Sequence, residues 1–94
     1  MVYAAKCFWP EVEEDELQHV AERAHADVGS ERSGVSYLGS ICFPSDHLVL
    51  CLFNASSPGA VKRASERLGI PCERVMPTLW IPQLGQETST RWAR

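Results

Sequence analysis

Hydrophobic positions along the chain change period in a regular order, and that order predicts the fold. The opening run, VYAAKCFW (Val2 to Trp9), is apolar except for Lys6, which suits a strand closed by Pro10. From Glu13 the period lengthens. Leu17, Val20, Ala21, Ala24 and Val28 recur at three- and four-residue steps, the stripe of a helix. Four carboxylates, Glu13 to Glu16, sit in its first turn, where the helix dipole favours negative charge, and Gly29 with Ser30 ends it. GVSYLGSICF and HLVLCLFN return to strand character on either side of Pro44–Asp46. A second helix has Ser57 as N-cap, Pro58 in the first position, a stripe of Val61, Ala64 and Leu68, and a Gly69-Ile70-Pro71 stop. ERVMPTLWIP is a fourth strand, in which Pro77 points to a sheet edge or a bulge.

The predicted order is βαββαβ. Right-handed crossovers then place both helices on one face of a four-stranded antiparallel sheet, the α+β, ferredoxin-like arrangement. Residues 1–82 form this domain, and residues 83–94, QLGQETSTRWAR, read as a polar C-terminal tail.

A turn between Ser45 and Asp46 pairs Phe43 with Leu48, Cys42 with Val49, Ile41 with Leu50 and Ser40 with Cys51. One face of the hairpin then carries Val35, Tyr37, Ile41, Phe43, Leu48, Leu50 and Leu52. It is wholly apolar and is expected beneath the helices. The other carries Ser36, Leu38, Ser40, Cys42, His47, Val49, Cys51 and Phe53, a mixed surface still too apolar to face water. A second copy of the same face is its simplest cover, so the expectation is a homodimer with a ligand cleft between sheets. Lys6 would have to be buried under the helices or share the cleft face, and it is assigned to the cleft with Val2, Ala4 and Phe8. Cys7 then faces the helices.

Composition narrows the function. A net charge of −3 gives no electrostatic reason to expect nucleic acid or an anionic membrane. No apolar run approaches the ~18 residues of a membrane span, and MVYAAKCFWP lacks the basic leader of a signal peptide. A cytoplasmic protein is expected. The cysteines Cys7, Cys42, Cys51 and Cys72 form no C-x-x-C pair and read as free thiols.

The stretches YAAKCFWPEVEEDEL, GVSYLGSICF and LVLCLFNASSPGAVKRASERLGIPCERV together resemble a family of short bacterial ferredoxin-like domains of unknown function, known in part as nickel-binding proteins. The resemblance covers residues 3 to about 81. It implies a homodimer with a ligand or metal site between sheets, nickel being the metal the family suggests, and no settled enzymatic activity. Family members often carry a carboxylate where this chain has Lys6, a histidine where it has Gly39 and a glutamate where it has Asn54.

Two sets of site residues follow. Lys6, Ser40, Cys42 and Cys51 are the expected contacts of a small-molecule ligand. His47, Cys42 and Cys51 are the expected ligands of a borderline metal such as nickel, which accepts imidazole and thiolate. Residues two apart on a strand are about 7 Å apart, so His47 and Cys51 share an ion only if the strand bends or a partner subunit contributes. The expected function is a small homodimeric ligand-binding protein. A cofactor-free enzyme of oxygenase or cyclase type, with Ser40, Lys6 and His47 as its polar groups, is the alternative.

Overall fold

The computed structural model describes residues 1–27, 34–79 and 81–82. Each helix begins where its capping residues require. In α1 (Glu14–Ala26) the Glu13 N–H donates to the Glu16 carboxylate at 3.1 Å, a reciprocal cap at the acidic end. In α2 (Pro58–Leu68) the Ser57 hydroxyl accepts from the Ala60 N–H at 3.2 Å. Gly69 ends it at φ 72°, a left-handed position that glycine occupies without a Cβ penalty. The Arg23 guanidinium donates to the Leu68 carbonyl oxygen at 2.8 and 3.2 Å, tying α1 to the last turn of α2. Val28, Gly29 and Ser30, expected to finish the first helix, lie outside the described residues, as do Trp80 and the predicted tail.

The strands are β1 (Val2–Phe8), β2 (Ser36–Phe43), β3 (Leu48–Asn54) and β4 (Cys72–Pro77), in the sheet order β2-β3-β1-β4 and antiparallel throughout. This is the ferredoxin-like α+β fold, and the predicted hairpin register holds at all four pairs from Phe43↔Leu48 to Ser40↔Cys51. β4 lies at a sheet edge, as Pro77 implied, and its ladder with β1 is irregular beside Glu73.

The two faces of the hairpin are exchanged relative to expectation. Val49, Cys51 and Phe53 are buried with Tyr3, Ala5 and Cys7 from β1 and Val20, Val61, Ala64 and Leu68 from the helices. Leu48, Leu50 and Leu52 instead share the open face with Phe8, Ile41 and Phe43, of which the last three are 53%, 47% and 41% exposed. The reason is the register of β1 on β3, which pairs Lys6 with Leu50. Directly opposed residues share a face, so Lys6 and Leu50 cannot be separated. Burying an ammonium without a partner costs several kcal/mol, whereas Leu48, Leu50 and Leu52 stay half-buried on the open face and each gives up only part of the ~1.5–3 kcal/mol that full burial brings. Lys6 therefore draws the leucines to the open face, and small residues (Ala5, Cys7, Cys51, Ala60, Ala64) fill the contact between helices and sheet.

A bulge in β2 adds a second departure. Tyr37 pairs with Phe53 and Gly39 with Leu52, leaving Leu38 without an opposite residue. Tyr37 thus stays with Val35 on the buried side, where both were expected, its ring 5.5 Å from that of Phe53. Gly39 has φ 143°, a conformation that side-chain-bearing residues avoid. No described helix is long and apolar enough to cross a membrane.

Candidate functional site

The bulge at Leu38–Gly39 allows Tyr37 and Ser40, three positions apart, to point to the same side. Their hydroxyls are 2.6 Å apart, and the Ser40 Oγ donates to the Cys51 Sγ at 3.2 Å. Because Ser40 has one proton and gives it to sulfur, the Tyr37 hydroxyl is the donor to Ser40. The Cys7 thiol, 3.4 Å from the Ala5 carbonyl oxygen, stands beside Cys51 at the inner end of this chain. Hydrogen bonding from Cys7, supplemented by that from Ser40, holds the Cys51 thiol below its usual range against the effect of burial. The same contact, together with burial, pushes Cys7 far upward. Burial raises Tyr37 in spite of Ser40. The result is a polar thread from a depression of about 500 Å³, lined by Glu14, Leu17, Gln18 and Ala21 of α1 and by Tyr37 to Ser40 of β2, to two sealed thiols.

Cys42 and His47 meet elsewhere. Both line a pocket of about 130 Å³ with Trp9, Glu11, Val12 and Pro44. His47 is not a strand residue. It follows the short helical turn Pro44–Asp46 at φ 52°, its carbonyl oxygen accepts from the Trp9 N–H at 2.7 Å, and its ring meets Phe8 edge-on at 6.0 Å. Glu11, across the pocket, also has positive φ, at 61°. Among the described residues no group of three or more His, Cys, Asp or Glu side chains is placed to hold a metal ion.

Lys6 is apart from both. It lies half-buried on the open face, beside Leu50 on one side and Arg74 on the other. Directly opposed like charges repel. The one ion pair the structure shows among the described residues joins Arg67 to Asp27, so no described carboxylate is paired with Lys6 or Arg74. The Arg74 guanidinium instead reaches the Met76 sulfur at 3.5 Å. Glu73, next in the chain, stands close enough to Cys7 to act on it.

The four expected ligand contacts are thus divided: Ser40, Cys42 and Cys51 beneath the helices, Lys6 on the open face. Tyr37 and Arg74 were not anticipated. Gly39 inside a strand was the available signal for the first, since it marks a bulge. Arg74 had none, because its position opposite Lys6 depends on strand order. Burial sets the order of thiol reactivity. Cys42 and Cys72 are half-buried, whereas Cys7 and Cys51 are sealed. Peptide mapping after brief alkylation of the native protein should find Cys42 and Cys72 modified well before the other two. Early labelling of Cys51 would contradict the face assignment.

A family model described as nickel responsive protein SCO4226-like matches residues 7–77. Among solved structures, the crystal structure of SCO4226 from Streptomyces coelicolor A3(2) is similar, with a TM-score of 0.74 at 17% identity over 86% of this chain and 99% of that one. At that identity the likeness concerns the fold. No curated protein matches the chain.

Proposed function

The chain belongs to the SCO4226-like family of nickel-responsive proteins, and from that premise we propose that it is a small homodimeric binding protein. Two copies meet through the open sheet face and hold a small anionic molecule against Lys6 and Arg74. The observation that supports this reading is an exposed apolar face carrying two cations side by side, neither paired with a carboxylate among the described residues. Phe8, Ile41, Phe43 and the three leucines give the face an interior character, and exposed patches of this kind mark interaction surfaces.

Size is consistent with a modest dimer. Strands of seven residues and four strands at ordinary spacing make a face of roughly 23 by 19 Å, so two copies cover about 900 Å², near the lower limit for a specific interface. Lys6 and Arg74 make a purely apolar seal unfavourable and an anion between the sheets favourable. Sedimentation velocity should show a dimer that dissociates on dilution, and a monomer persisting at millimolar concentration would end the reading. Titration of the dimer with citrate and with inorganic phosphate should give binding that weakens at least tenfold in K6M and in R74M. Equal affinity in wild type and both variants would remove these residues from the site.

The family name also raises nickel. One chain brings Cys42 and His47 to a shared pocket, Cys51 is sealed in the core, and no three-ligand cluster occurs among the described residues. The donors of one subunit therefore do not fit a closed nickel site. Cys42 points to the helix side, so a dimer formed through the open face does not bring the two copies of Cys42 together. Calorimetric titration with nickel should give a dissociation constant no tighter than about tens of micromolar, or roughly −6 to −7 kcal/mol. A submicromolar constant abolished by H47A would overturn this expectation.

A further inference from the structure

Cys7 and Cys72 are directly opposed across the antiparallel pair β1–β4. Cα atoms of opposed antiparallel residues are ~4.5–5.5 Å apart, inside the ~4.4–6.8 Å range of natural disulfides. The two thiols differ in access. Cys7 is sealed in the core, whereas Cys72 is half-buried and lines an open depression of about 320 Å³ with Pro58, Gly59, Lys62, Glu73, Arg74 and Val75. An oxidant small enough to enter that depression meets Cys72 first, with the Cys7 thiol on the facing strand.

We propose that Cys72 and Cys7 form a peroxide-oxidisable dithiol, with Cys72 the sulfur attacked by peroxide and Cys7 the thiol that resolves it into a disulfide. In the first step the Cys72 sulfur takes the terminal peroxide oxygen. The O–O bond breaks, an alcohol or water leaves, and Cys72 becomes the sulfenic acid. In the second step the Cys7 sulfur attacks the Cys72 sulfur, the S–O bond breaks, and the hydroxide released combines with the Cys7 proton as water. Two thiols and one peroxide thus give one disulfide, one alcohol or water, and one further water.

The surroundings assign rates to the two steps. Burial holds the Cys72 thiol above its usual range, opposed by the Ser65 hydroxyl and the Lys62 ammonium, so little thiolate is present at neutral pH and the first step is slow. The second step is slow as well, because the contact with Cys51 and burial hold the Cys7 thiol far above its usual range, so its proton is given up only as the hydroxide leaves Cys72. A slow first step with a sealed resolving thiol describes a stoichiometric sensor or protective bond, not a rapid peroxidase. The pair stands on register and burial, independently of the dimer and of any ligand.

The test begins with reduced, full-length protein and hydrogen peroxide, followed by alkylation and non-reducing peptide mapping. The expected product is one linkage per chain between the Cys7 and Cys72 peptides, with loss of two hydrogens and reversal by dithiothreitol. C72S should abolish it, and C7A should leave a sulfenic acid on Cys72 that dimedone captures. Because C7A alters the core, its circular dichroism is compared with wild type, and C72S, at a half-buried edge position, provides the second arm. A linkage that leaves out Cys72, or wild-type protein that overoxidises at Cys72 without linking to Cys7, would overturn the proposal.

Discussion

Placing glutamate at Val49 should unfold the protein, whereas the same charge one residue later, at Leu50, should leave the fold intact and separate the proposed dimer. Val49 is fully buried between Cys42 on β2 and Cys7 on β1, beneath the helices. No described cation is paired with it there, so a carboxylate at that point is an uncompensated buried charge and costs several kcal/mol. A domain of this size has ~5–15 kcal/mol of total stability, so V49E should lose most or all of it. Leu50 is half-buried on the open face, next to Lys6. Glutamate at that position gains a neighbouring ammonium in the monomer and places two carboxylates in the proposed interface. Urea denaturation should therefore show V49E unfolded or nearly so and L50E within about 1 kcal/mol of wild type. Sedimentation should show L50E as a monomer at concentrations where the proposed wild-type dimer forms. If V49E folds and L50E does not, the faces are the wrong way round; if L50E folds and still dimerises, the open face is not the interface.

The second large effect is expected at Phe53. It is the largest fully buried side chain and packs its ring against Tyr37, which begins the hydrogen-bonded thread to Ser40 and Cys51. F53A removes that ring from the centre of the core and leaves a cavity, at a cost of about 3–5 kcal/mol. The loss should extend beyond stability, because Tyr37 then lacks the surface that holds its hydroxyl at Ser40. Cys51 should lose part of its protection and become alkylated earlier than in wild type, at denaturant concentrations where F53A is still folded. A stability loss below about 1 kcal/mol would mean that Phe53 is not at the centre of the core.

Much of the fold was legible one element at a time. The carboxylates of Glu13–Glu16, the Ser57-Pro58 start and the Gly69 stop each state a local requirement that the backbone meets by itself. The turn at Pro44–Asp46 set the hairpin register, since a short connection leaves only a few ways to align two strands. The candidate site was less legible. Ser40 and Cys51 were correctly paired, but the partners that give them chemistry, Tyr37 on one side and Cys7 on the other, depend on a bulge and on a strand distant in sequence.

What the sequence by itself determined is therefore the order of elements, their caps and which hairpin residues share a face. What only the tertiary structure decided is which face the helices cover. Counting apolar side chains pointed to the leucine face, and that count ignores β1. Once β1 pairs with β3, Lys6 stands on the same face as Leu50 and Cys7 on the same face as Val49. One ammonium that must reach water then outweighs leucines that are only partly deprived of cover, and the hairpin side chains from Gly39 onward follow because the strand period is two. The same non-local pairing sets Arg74 beside Lys6 and Cys72 opposite Cys7. Neither contact has a signature within any short stretch of sequence, because each joins residues more than sixty positions apart.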